Sequence, residues 1–161
     1  MFAKFQTINM ELKSEEFTET STVFYLEYGT VVYEPEYKSL DPEERIPEHF
    51  NIFNYSGARP IQLYRNQMVK LTRLLPVAYQ AFKQGDTSFS AEVVKNKSQL
   101  ITLEVSDYKD KTYLFLKKRF KPPETVDDPN QEWIHTKSNV SFHPDVDDAS
   151  RLIKFVLNCR V

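Results

Sequence analysis

Two stretches of helical periodicity, each at the end of a run of strand-like segments, constrain this chain more than any other feature in it. In the first, Met68, Leu71, Leu75, Ala78 and Phe82 recur at alternating steps of three and four residues, the spacing of one apolar helix face. Ala149, Leu152, Ile153 and Val156 mark a second such face near the C-terminus. A helix with one apolar face must bury it against another layer. The segments ahead of each helix supply that layer.

Ile8, Met10 and Leu12 alternate with Thr7, Asn9 and Glu11, the pattern of a half-buried strand. Thr22–Tyr28 and Thr30–Tyr37 read as two more strands, with Gly29 turning or bulging the chain between them, and Phe50–Tyr55 as a fourth. Ser39–Glu48, rich in Pro and acidic residues, reads as a loop. Pro76 lies off the apolar face of the first helix and is expected to kink or interrupt it, while Gly85 offers a left-handed stop.

The plan then repeats. Thr87–Val94, Gln99–Val105, Thr112–Lys121 and Gln131–Ser138 are strand candidates, joined by the polar turns Lys95–Ser98 and Ser106–Lys111 and by a second acidic, Pro-bearing loop, Pro122–Asn130. Pro60-Ile61-Gln62-Leu63 and Asn139-Val140-Ser141-Phe142 form matching steps out of a strand toward each helix. Asp145, Asp147 and Asp148 at the start of the last helix, and Lys154 and Arg160 late in it, suit the helix dipole. The expectation is a single α+β domain, residues 1–161, of two ββββα repeats (1–85 and 86–161). Its antiparallel sheets are packed together by the two helices as a pseudo-dimer.

Composition excludes several functions. With 3 Gly in the chain and neither a Walker A run nor GxGxxG, no glycine loop cradles a phosphate. Cys159 is the one cysteine, so no internal disulfide forms. No signal peptide or long apolar run stands out, so the expectation is the cytoplasm or another reducing intracellular compartment, off the membrane. His49, His135 and His143 lack the paired spacing of a zinc site, and no Ser/His/Asp or Cys/His arrangement can be drawn. The reading is no enzyme, no cofactor and no metal.

The net charge of −2 hides an uneven distribution. Lys and Arg against Asp and Glu count 5 to 11 over residues 1–60, but 6 to 1 within Tyr108–Lys121, so an anionic ligand is confined to a local patch. In that patch, strand alternation puts Leu114 and Leu116, followed by Phe120, on a core face. It puts Tyr113, Phe115, Lys117, Arg119 and Lys121 on the other. On the next strand Ile134 points inward, and Trp133, His135 and Lys137 point together to the opposite side. Unpaired bases stack on aromatic rings, and Lys and Arg hold the phosphates beside them. The competing reading is a charged sheet edge that discourages aggregation, or aromatics that fill a core. The first-half strands carry Glu27, Glu34 and Glu36, so a nucleic-acid surface should favour the second half.

The order of elements from Tyr113 to Val156 resembles the single-stranded-DNA-binding domain of the transcriptional positive-cofactor family. That family's pattern is a basic-aromatic strand, a loop and a Lys-Lys-Gly-Ile-Ser-Leu-like step into a helix. The step reads here Lys137-Ser138-Asn139-Val140-Ser141-Phe142, and Ala58-Arg59-Pro60-Ile61-Gln62-Leu63 stands in the same place in the first half. Two such units in one chain look like the Whirly superfamily, with ββββα occurring twice. The glycine of the step is replaced by Asn139 and Pro60, and the Lys-Gly-Lys-Ala-Ala-Leu run of plant Whirly proteins is absent. The resemblance implies sequence-tolerant binding of single strands without a cofactor, and places the basic and aromatic strand residues at Phe115, Lys117, Arg119, Trp133 and Lys137. The expected function is non-catalytic binding of single-stranded nucleic acid, DNA favoured over RNA, in replication, repair or transcription. Polymerase or replication proteins are candidate partners, and a homo-oligomer stays open. The alternative is a protein-interaction module that regulates transcription by contacting polymerase through the acidic first half.

Overall fold

Alternating apolar and polar residues fold into two antiparallel sheets, and each sheet is followed by a helix. A computed structural model describes residues 16–17, 22–26, 29–37, 41–54, 59–142 and 148–159. The alternating stretch at Ile8, Met10 and Leu12, the acidic residues Glu27, Asp145 and Asp147, and His143 lie outside them. The first sheet has the order β1 (Glu16–Phe17), β2 (Thr22–Tyr25), β3 (Gly29–Glu34), β4 (His49–Asn54) and β5 (Ile61–Leu63), and leads into α1 (Arg65–Lys83). The second has the order β6 (Ser90–Lys95), β7 (Gln99–Tyr108), β8 (Lys111–Phe120) and β9 (Ile134–Phe142), and leads into α2 (Asp148–Asn158). The α+β class and the repeated sheet-then-helix plan are as expected from the sequence.

The correspondence between the halves is shifted from the expected one. Ile61–Leu63 is a strand in its own right, paired with β4, so β5 is the counterpart of β9. Asn139–Phe142, by contrast, is the continuous end of β9. The first acidic loop therefore joins the second and third strands of the unit β2–β5, whereas the second joins the third and fourth strands of β6–β9. The two acidic loops are not equivalent.

Each helix lies on the sheet of the other half. α1 packs against β6, β7 and β8, touching its own sheet at β4. Met68, Leu71, Leu75 and Ala78 are fully buried there, as their spacing predicts. α2 sets Phe155 against Phe24 of β2 and Phe50 of β4, with ring centroids 5.1 and 6.2 Å apart. One hydrophobic cluster consequently runs through both sheets and both helices. At about 1.5–3 kcal/mol for each fully buried large side chain, this shared burial is what couples the halves.

Two backbone expectations meet different outcomes. Helix α1 runs uninterrupted through Pro76, which sits on its exposed face. The ring removes one backbone hydrogen bond, but the buried side chains on both sides of it hold the helix together. Gly85 (φ +68°) does end the helix: its N–H donates to the Phe82 carbonyl, and the Asp86 N–H to that of Ala81, the double bond of a Schellman cap. Gly29 opens β3 where a Cβ would lie 2.1 Å from the Phe53 carbonyl oxygen, so the close approach of β3 and β4 excludes any side chain there.

Candidate nucleic-acid interface

The interface is built on a long hairpin. β7 and β8 pair over ten residues each, closed by Lys109 and Asp110 at φ 50° and 67°. Two successive positive φ values give the turn a twist that matches the strands. The turn is shorter than the expected Ser106–Lys111, and its centre dictates the register: Ser106 opposite Tyr113, Glu104 opposite Phe115, Thr102 opposite Lys117. Leu114 and Leu116 are fully buried, as expected, and the odd-numbered side chains of β8 take the other face.

On that face three rings follow one another. Tyr108 meets Tyr113 edge-on with centroids 6.4 Å apart, and Tyr113 meets Phe115 at 5.3 Å. Tyr113 and Phe115 are half-buried, Tyr108 is exposed, and Lys109 and Lys117 sit over Tyr108 and Phe115 at 5.2 and 5.4 Å from the ring centroids. Such cation–π pairs hold the ammonium groups beside the rings without removing their charge.

The cations next to the rings are not a bare strip. Glu104 projects between them: Arg119 Nη1 donates to Glu104 Oε2 at 2.7 Å, and Lys117 Nζ lies 3.5 Å from Oε1. Arg119 also donates to Thr102 Oγ1 at 3.0 Å, Lys117 to Ser106 Oγ at 3.0 Å, and the Thr102 hydroxyl to Glu104. Burial pulls the Glu104 pKa upward, but the bonds from Arg119 and Thr102 and the charges of Arg119 and Lys117 outweigh it and hold the carboxyl below its ordinary range. Two cations around one carboxylate leave one positive charge over. A carboxylate at that spot also fixes where the cations stand.

The remaining expected residues divide. Lys121 lies over Trp133 at 4.7 Å from the ring centroid, just beyond the ends of β8 and β9. His135 is exposed and pairs with Arg119 across the ladder. Lys137 is carried elsewhere by a bulge: β9 has three residues between those facing Arg119 and Lys117, where β8 has one. Thr136 pins that bulge, its hydroxyl donating to the Lys118 carbonyl at 2.8 Å. Lys137 thereby joins Lys118, Phe120 and Arg59 around a groove next to the end of β8. Phe120 and Ile134, expected inside, are 37% and 38% exposed, because the core ends before the strands do.

Sequence reasoning missed Glu104, Tyr108, Lys118 and Arg59. Glu104 had a signal. Ile101, Leu103 and Val105 alternate with Thr102, Glu104 and Ser106, and a two-residue turn at Lys109–Asp110 sets that polar row opposite Lys117, Phe115 and Tyr113. Arg59 had none, since only the tertiary fold brings it to β9.

A second polar cluster lies on the first sheet. Arg65 Nε and Nη2 donate to the two Glu48 oxygens at 2.7 and 2.8 Å, and Tyr33 donates its hydroxyl to Glu48 Oε1 at 2.7 Å. Arg65 also donates to the carbonyls of Val156 and Cys159 at the end of α2. Burial, reinforced by the bond to Glu48, raises the Tyr33 phenol above its ordinary value, and the Glu48 bond keeps Arg65 firmly charged. Four Arg65 N–H groups and the Tyr33 hydroxyl of this cluster are directed at the protein itself. Among the described residues no group of three His, Cys, Asp or Glu could hold a metal ion, and no helix is long and apolar enough to cross a membrane. No protein-family model matches the chain, and neither does any curated protein.

Proposed function

We propose that the chain binds single-stranded nucleic acid, without catalysis, on the aromatic and basic face of β8, with DNA favoured over RNA. The observation that carries this reading is the row Tyr108, Tyr113 and Phe115 with Lys109 and Lys117 against its rings. Rings at strand spacing offer stacking surfaces to successive unpaired bases, and the adjoining cations meet the phosphates. Glu104 lowers the net attraction but fixes Lys117 and Arg119 in place, which suits sequence-tolerant binding at modest affinity. The setting that fits is replication, repair or transcription in a reducing compartment, with the Whirly-like plan as the proposed kinship.

Titrating a fluorescent oligonucleotide at several salt concentrations tests this. Engagement of about four phosphates gives a log–log salt slope near −3, and a base stacked near Trp133 quenches its emission. No affinity at low salt would end the reading.

A specific observation also keeps a protein-binding role for the first half in view. Tyr37 and Ile46 bridge across the acidic loop, their backbones hydrogen bonded at 2.8 and 3.1 Å, and both side chains are about half exposed. An apolar pair among Glu36, Glu43 and Glu44 suits a basic protein surface, polymerase included.

A further inference from the structure

The groove beside the end of β8 is the strongest feature outside that face. It has a volume of about 730 Å³ and is lined by Arg59, Pro60, Lys118, Phe120 and the bulge residues Thr136–Ser138. Three cations and one half-exposed ring surround it, and among the described residues no acidic side chain lines it. Among the described residues none of the three cations is in an ion pair. That contrasts with Lys117 and Arg119 on the other side of the same strand, which share Glu104.

The walls are built rather than incidental. Ser138 Oγ donates to the Arg59 carbonyl at 2.8 Å, Asn54 Nδ2 donates to the Asn139 carbonyl, and the Ser138 N–H donates to Thr136 Oγ1 at 3.0 Å. These bonds tie the β4–β5 connection of the first sheet to the bulge of the second, so the groove exists only where the halves meet. Cations held near one another without a carboxylate repel, and a polyanion relieves that repulsion. The apolar part of the lining suits an occupant that carries more than charge, since Phe120 offers a ring to whatever the cations hold.

We propose that this groove binds consecutive phosphates of a single-stranded nucleic acid, with one base on Phe120. It serves as a second contact region for the strand that lies along β8. The inference rests on the nucleic-acid reading given above, but uses different residues. Because Lys118 and Arg119 are neighbours on opposite faces, a strand leaving the Arg119 side reaches the groove by crossing the edge strand β9 near His135.

The test compares an oligothymidylate on three proteins: the wild type, the triple variant Arg59→Gln, Lys118→Gln, Lys137→Gln, and the double variant Tyr113→Ala, Phe115→Ala. Circular dichroism melts confirm that each is folded. Loss of three phosphate contacts makes the salt slope shallower by about 2 and weakens binding about 100-fold in roughly 0.1 M salt. Phe120→Ala alone weakens it about tenfold. A triple variant that binds like the wild type, with the same slope, overturns the groove and leaves the β8 face standing. A double variant that binds normally while the triple variant fails overturns the β8 face and leaves the groove. Thymidine monophosphate competing as well as the oligonucleotide overturns the assignment to a strand, and a wild type that binds nothing overturns both.

Discussion

Each half of the molecule holds one half-buried glutamate among cationic and aromatic side chains, and the two arrangements do opposite things. Glu48, in the first half, accepts from Arg65 Nε and Nη2 and from the Tyr33 hydroxyl, while Arg65 also donates to the last carbonyls of α2. The guanidinium lies 5.8 and 5.7 Å from the Tyr33 and Phe50 ring centroids, so rings and charges face inward together. Glu104, in the second half, binds Lys117 and Arg119 with one positive charge left over, beside rings that remain partly open to solvent. The first network staples a helix to a sheet. The second keeps one positive charge over beside rings that are partly accessible.

The comparison is broken most directly at Arg65. Arg65→Ala removes the bonds to Glu48 and leaves the end of α2 uncapped. The expected cost is about 2–3 kcal/mol, read as a thermal midpoint lowered by roughly 5–10 °C. Oligonucleotide affinity at a temperature where the variant is folded should not change. If affinity falls while the melting temperature holds, the first network is a binding site and the contrast is void.

Phe115→Ala and Tyr113→Ala come next. Each should lower affinity by about 1–3 kcal/mol through lost stacking, with a stability loss smaller than that of Arg65→Ala because both rings are already half exposed. Melting and titration on the same samples separate the two effects. Variants that melt early yet bind normally would make this row a packing element.

Glu104→Gln should give the smallest change and the most informative one. With its carboxylate gone, Lys117 and Arg119 are released toward phosphate, so binding tightens several-fold and the salt slope steepens by up to about 1. Weaker binding would instead mean that the positioning of the cations by Glu104 outweighs the attraction its charge takes from them. The same variant carries a pH signature. Because the folded-state pKa of Glu104 is lowered, its contribution to stability is present above the ordinary glutamate range. That contribution is lost as pH falls through the lowered value. The acid limb of the wild-type stability curve should therefore be steeper than that of Glu104→Gln, by about 1 kcal/mol in total.

Local patterning made much of the scaffold legible. Period-2 alternation identified Leu114 and Leu116 as core, and the three-four spacing identified Met68, Leu71, Leu75 and Ala78. Both signals are read from neighbours along the chain. Phe155 escaped because the second helix is short, and its apolar residues crowd more than one stripe. Pro76 does not interrupt the helix, because its intrinsic cost is local, whereas the burial that offsets it comes from the opposite sheet. The bulge that diverts Lys137 was invisible, since two extra residues leave the odd–even pattern of β9 unchanged.

The sequence alone determined the alternation of strands and helices, the side of β8 that is buried, and the concentration of cations and rings in one hairpin. Those properties follow from side-chain periodicity and need no knowledge of what lies opposite. Only the tertiary structure decided that each helix covers the other half's sheet, that Glu104 stands between Lys117 and Arg119, and that Arg59 meets Lys118 and Lys137 in one groove. The reason is physical: charge compensation and groove shape depend on residues brought together across strands and between halves, and chain-local patterns carry no record of such distances.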